Sequence, residues 1–268
     1  MQQSHSTSCC TSVPFKKLEC NEAIGETLLL SDSIFINIDY AAIENAFEGK
    51  ITGDRTYASR KDCRAWFPHK NVQAILQERL QRKKYDTVIL AAPSVDISNQ
   101  KIVGTVTKSN RDETISSCDA MVQAADFAIC SGRAKRVLIL QHAPRYDTQH
   151  DDPNGIRSVL ARLFNKMVQC RRNQSQFAEY ILVGSHTGLE SEGSLRFRLF
   201  ANDGTATNVR HGKFDGLHFY SSAGRLALTK SVISIIEHQM KVEKSKTESA
   251  WSDAKTGRGF MKRGVNDF

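Results

Sequence analysis

No stretch of this chain is apolar for long enough to cross a bilayer; pure runs are as short as residues 88–92. The first dozen residues are polar and hold no hydrophobic core of a secretory signal, so neither secretion nor a membrane partner is expected. The seven cysteines include no C-x-x-C pair, and no His/Cys set has zinc-ligand spacing. Neither a disulfide framework nor a metal is therefore expected. The thiols read as reduced, in an intracellular compartment that is cytoplasmic or nuclear. Internal repeats are absent as well.

What remains is an ordinary globular composition, 40% hydrophobic and 25% charged, over 268 residues. That length suits one large α/β domain or two small ones. A net charge of +8 favours solubility and allows contact with polyanions without establishing it.

Residues 1–25 are rich in Ser, Thr and Cys and aperiodic, and are read as a disordered leader. Residues 241–268 carry seven Lys/Arg against four acids, with three glycines near the end, and are read as a basic flexible tail holding at most a frayed helix. Between them strand and helix signals alternate. Apolar strand runs lie at 27–30, 87–90, 137–140 and 180–183, with a second strand placed near Lys50-Ile51-Thr52. Helical periodicity covers 34–47, 71–82 (Asn71 as N-cap), 112–129, 156–168 and 222–240. Alternation of this kind means right-handed βαβ crossovers. The expectation is one three-layer α/β/α domain, flavodoxin-like, over 26–240, with a mostly parallel sheet of about five strands.

In an open parallel sheet, ligands bind outside the carboxyl ends of the strands. The residues just after each strand are therefore the ones to inspect: Ser31-Asp32-Ser33, Ser94-Val95-Asp96, His142-Ala143-Pro144-Arg145 and Gly184-Ser185-His186. Asp215-Gly216-Leu217-His218 precedes the last helix. Ser33 stands between a strand and a helix. By itself it reads as an N-cap, and as a nucleophile only if a base reaches it. The three-residue spacing of Asp215 and His218 lets one carboxylate orient the imidazole. Asp96 reads as a helix or turn cap rather than a catalytic acid. Arg145 and His186 can line a substrate site. Arg157, Arg162, Lys166, Arg171 and Arg172 read as the solvated face of one helix, and Trp66 as loop packing.

Two of these segments carry a family resemblance. Leu28-Leu29-Leu30-Ser31-Asp32-Ser33 resembles the first block of the SGNH (GDSL-type) hydrolases, with Ser31 where glycine is usual. Asp215-Gly216-Leu217-His218-Phe219-Tyr220-Ser221-Ser222-Ala223-Gly224, running into a helix, is similar to their last block and is the more specific of the two. The strand 86–90 with Ser94-Val95-Asp96 sits where the third block, Gly-x-Asn-Asp, belongs. The Ala-Pro-Ser-Val-Asp and Pro-Arg-Tyr-Asp stretches resemble the esterase-like domains of invertebrate and retroelement-derived reading frames.

The resemblance implies Ser33 as nucleophile, His218 as general base and acid, and Asp215 as the orienting carboxylate. It implies Gly53 as the second-block glycine near the oxyanion. Val95 stands where the family's asparagine donates to that oxyanion, leaving Ser94 or Asn99 as substitutes. The function implied is hydrolysis of a small-molecule ester with a small or polar acyl group, without a cofactor. The alternative is a catalytically weakened SGNH-like scaffold, with weak non-specific nucleic-acid contact through the basic tail.

Overall fold

A computed structural model describes residues 26–35, 38–46, 52–54, 72–91, 94–98, 100–145, 155–186, 189, 199–200, 203–204 and 218–255. Five strands, β1 (Glu26–Leu30), β2 (Thr52–Asp54), β3 (Tyr85–Leu90), β4 (Ala134–Leu140) and β5 (Ile181–Gly184), form one parallel sheet in the order β2-β1-β3-β4-β5. The helices are α1 (Tyr40–Ala46), α2 (Val72–Arg82), α3 (Ser94–Ser98), α4 (Lys108–Cys130), α5 (Ile156–Gln174) and α6 (Ser222–Lys255). This is the doubly wound, flavodoxin-like α/β/α architecture expected from the sequence.

The strand runs are continuously apolar because both faces of the sheet are covered. Leu28, Val88, Val137 and Ile181 stand in register across four strands and face α2, α4 and α5, where Leu76, Met121 and Phe164 pack on them. Their neighbours Leu29, Ile89 and Leu138 face the other way, against Ile43 of α1 and Leu228, Val232 and Ile235 of α6. Successive residues thus serve opposite layers, as the twofold strand period requires.

Several boundaries differ from the sequence expectation, each for a local reason. The first helical stretch is broken into a 3-10 turn, Ser33–Phe35, and α1. Asp32 opens the turn, its Oδ1 accepting the Ile34 N–H (2.9 Å) and its carbonyl the Phe35 N–H (3.2 Å), and Asp39 starts α1 afresh, its Oδ1 accepting the Ala42 N–H (3.0 Å). Helix α4 starts earlier than 112, where Thr107 and Asn110 form a reciprocal capping box. Helix α6 continues past 240 to Lys255, into the segment read as a tail, through a stretch free of proline and glycine between Gly224 and Gly257. Nor do the α5 cations share one solvated face. Arg157 is buried, Arg171 pairs with Asp119 (2.8 Å), and Arg172 donates Nε to the Ile181 carbonyl. Trp66 lies outside the described residues.

The direction of α6 follows from its contacts. Thr229 accepts the Asp39 N–H (3.1 Å), Ser231 bonds His186 just after β5, Ile235 lies over Gly184, and Gln239 donates to the Val183 carbonyl. The helix therefore runs antiparallel to β5, and its N-terminus lies beyond the carboxyl edge of the sheet. At that end Gly224 touches backbone: a Cβ there would collide with the Leu199 carbonyl oxygen. Backbone yields less readily than a side chain. Gly224→Ala is expected to destabilise by about 1–3 kcal/mol, lowering Tm by roughly 2–4 °C per kcal/mol for a chain of this size, as calorimetry would show.

Candidate active site

The order 2-1-3-4-5 has its switch point between β1 and β3, the crevice where such sheets bind ligands. The turn carrying Ser33 leaves β1 there, and α3 leaves β3. Asp32 is buried and holds the turn closed through the two hydrogen bonds just described. Both uses matter for chemistry, because they occupy the Ile34 and Phe35 N–H groups.

Beside the switch point the edge is lined with buried polar side chains. After β4, His142 is 2% exposed, and Asn165 of α5 clamps its backbone, accepting its N–H (2.6 Å) and donating to its carbonyl (3.1 Å). Its Nδ1 donates to the Ala143 carbonyl (2.7 Å), which leaves Nε2 as the bare nitrogen, buried and without a hydrogen-bond partner among the described residues. Arg145 is 6% exposed, and its Nη2 donates to Ser98 Oγ at the end of α3 (3.0 Å). After β5, His186 is 1% exposed, with Nδ1 2.8 Å from Ser231 Oγ and its ring centroid 6.1 Å from that of Phe35. Its Nε2 is likewise buried without a described partner.

Burial and the Arg145 guanidinium push the His142 imidazole down to about 3, with His186 adding to the effect. Burial alone pushes His186 down to about 4. Near neutral pH both rings are uncharged. The edge thus holds two neutral imidazoles, one of them, His142, beside the permanent cation of Arg145.

His218 is 7% exposed and stacks on Tyr220, with ring centroids 5.5 Å apart and planes 21° apart. It stands ahead of α6, in a segment pinned by Ser221. That hydroxyl donates to the Leu199 carbonyl (3.0 Å) and accepts the Gly224 N–H (2.8 Å). Arg225 adds a bond to the Tyr220 carbonyl (2.7 Å).

The structure joins Arg145 to α3 and His186 to the turn of Ser33. It removes Gly53: the register pairs Gly53 with Thr27, inside β2 and three residues short of the edge at Leu30. A glycine there spends its backbone on the sheet ladder. Asp96, buried in α3, accepts from Ser117 Oγ (3.0 Å) and ties α3 to α4. Ser94 and Val95 open α3, while Asp215 and Asn99 lie outside the described residues. Sequence reasoning placed His142 among the residues to inspect without giving it a role, and passed over Ser231. His142 had a signal, following an apolar strand directly. Ser231 had none, since its partner is distant in the chain. Among the described residues, no three His, Cys, Asp or Glu side chains gather as a metal site, and no helix is long and apolar enough to cross a membrane.

No family model matches the chain, and no curated protein does. Solved structures are similar. A catalytic mutant of Axe2, an acetylxylan esterase from Geobacillus stearothermophilus, is 12% identical with a TM-score of 0.52, covering 80% of this chain and 96% of that one. LAE5, an alpha/beta hydrolase enzyme from the metagenome of Lake Arreo, is 12% identical with a TM-score of 0.50, covering 81% and 96%. A GDSL-like lipase from Bacteroides thetaiotaomicron is 11% identical with a TM-score of 0.48, covering 85% and 93%. The fold is thus one shared with an acetylxylan esterase and an alpha/beta hydrolase enzyme.

The depressed imidazoles make the fold acid-sensitive. Their unfolded value is about 6.5, so below it the unfolded chain binds protons that the native rings refuse, and stability falls with pH. Full stability is expected above about pH 7, with Tm dropping as pH falls from there toward 4. The double variant His142→Gln/His186→Gln should show a shallower drop in a pH series of melting curves.

Proposed function

We propose that this chain is a serine ester hydrolase of the SGNH type, with Ser33 as nucleophile, His218 as general base and acid, and Asp215 orienting the imidazole. The observation that carries the reading is the place of Ser33, on a tight turn leaving β1 at the switch point of the sheet. His218 supports it, brought to the same edge ahead of α6.

In this reading Ser33 Oγ attacks the acyl carbonyl while His218 accepts its proton. The tetrahedral oxyanion collapses, and the alkoxide leaves with the proton from His218. Water then attacks the acyl-serine, giving up a proton to His218, and the carboxylic acid departs as Ser33 regains its hydrogen. The reaction calls for no metal or organic cofactor. Without a long apolar lid segment, a small or polar acyl group fits best, and acetyl, the group that Axe2 removes by its description, is of this kind. Within the superfamily, the Ala-Pro-Ser-Val-Asp and Pro-Arg-Tyr-Asp stretches favour the esterase-like domains of invertebrate and retroelement-derived reading frames.

Ser33→Ala should abolish fluorophosphonate labelling and lower aryl-ester turnover by more than about 10⁴-fold, with Tm nearly unchanged. Equal turnover in parent and variant would remove Ser33 from the role. The oxyanion gives a second test. With the Ile34 and Phe35 N–H groups spent on Asp32, the turn offers few backbone donors, and Val95 has no side-chain donor. Val95→Asn should therefore raise kcat about ten-fold or more. If Ser94 or Asn99 already fills the role, Val95→Asn will do little, and Ser94→Ala or Asn99→Ala will lower kcat on the same ester.

A further inference from the structure

We propose that His186 is a positioning residue: it ties the turn that carries Ser33 to the helix that follows His218, and so sets how the two reactive side chains meet. The inference rests on the serine-hydrolase reading. His186 belongs to neither of the two motif blocks. It sits after β5, buried, and touches both of the elements those blocks occupy.

On one side its ring meets Phe35, centroids 6.1 Å apart and planes tilted by 37°, within the range of favourable ring contact. Phe35 closes the same turn as Ser33, through its N–H bond to the Asp32 carbonyl. On the other side Nδ1 lies 2.8 Å from Ser231 Oγ, on the buried flank of α6. Two residues earlier on α6, Thr229 accepts the Asp39 N–H. The segment after β1 therefore meets α6 twice: directly at Asp39, and through His186 from Phe35 to Ser231. These two polar ties add to the apolar packing of Leu228, Val232 and Ile235, which sets the height of the helix, and bear on its rotation toward the turn.

Packing alone does not call for an imidazole here. A leucine would fill the space without leaving Nε2 buried and unpartnered among the described residues. What an imidazole adds is a flat face for Phe35 and a polar atom for Ser231 together. His218 lies only a few residues ahead of α6, so a small rotation of the helix displaces its ring directly. A misplacement of about 1 Å in such a constellation costs on the order of 10²-fold in rate.

The test uses the full chain, with p-nitrophenyl acetate turnover and the rate constant of fluorophosphonate labelling measured well below Tm. His186→Leu and Ser231→Ala should each lower kcat and the labelling rate about ten- to hundred-fold with KM within about two-fold. The double variant should be no slower than the slower single one, since both break one tie. His186→Asn, which keeps a polar atom near the place of Nδ1, should recover much of the loss. A merely structural role would lower Tm and leave the labelling rate of folded protein unchanged. Folded His186→Leu labelling at the parent's rate, or a loss confined to KM, overturns the inference while the hydrolase reading stands. If His186→Leu does not fold, a parental kcat in Ser231→Ala overturns it equally. A parent that labels no faster than Ser33→Ala overturns the hydrolase reading, and the positioning role with it.

Discussion

At Gly184 the sheet carries no side chain, and the γ2 methyl of Ile235 occupies the space where a Cβ would stand. Helix α6 can lie that close to β5 only because of this gap. Everything at the N-terminal end of α6 inherits its height and direction from that contact. Val232 and Ile236 extend the packing along the same face, and Gln239 closes it with a bond to the Val183 carbonyl. Nearer the start of the helix Gly224 presses on the Leu199 carbonyl, so two glycines set how closely α6 packs, one along its length and one at its N-terminal end. His218 rides on the segment they fix.

The same edge concentrates polar groups in a place from which water is excluded. A parallel sheet buried on both faces has apolar strands, so its polar side chains collect where strands end. Here those ends hold His142, Arg145 and His186, each buried and each tied to a different helix. Desolvation is the largest cause of the depressed imidazoles, and Arg145 adds repulsion at His142. Uncharged rings suit that setting. A proton on His142 would place a second cation beside Arg145, and burial leaves no solvent to screen it.

The strands were legible because burial on both faces makes them short unbroken apolar runs, as at Val88-Ile89-Leu90. Their ends pointed to the edge where the polar cluster lies, since that rule depends on topology and not on side-chain detail. Helix starts were less legible. The α4 cap rests on Thr107 and Asn110 inside a polar run, where no apolar periodicity marks it. The division of the first helical stretch follows from two caps in close succession, Asp32 before the turn of Ser33 and Asp39 before α1. Gly53 was misplaced because one residue type in an edge strand says nothing of register, which pairs it with Thr27. The ties of Arg145 to Ser98 and of His186 to Ser231 join residues 47 and 45 apart in the chain. No local pattern encodes such a pairing.

The turn after β1 shows why side-chain donors matter at this edge. A tight turn exposes the residue it carries only by closing on itself, and here Asp32 closes it with both its carboxylate and its carbonyl. Each bond that sharpens the turn removes an N–H from those free to meet a developing oxyanion. In the proposed hydrolase, rigidity of the turn of Ser33 and backbone stabilisation of the oxyanion thus draw on the same few groups. In the same proposed reading Val95, where the resemblance places asparagine, has no side-chain donor with which to relieve that competition. The demand then passes to whatever the carboxyl ends of the other strands supply. The helix that carries His218 to that edge must be held against the turn by contacts outside both motif blocks, and the His186 ring, between Phe35 and Ser231, is one that does so.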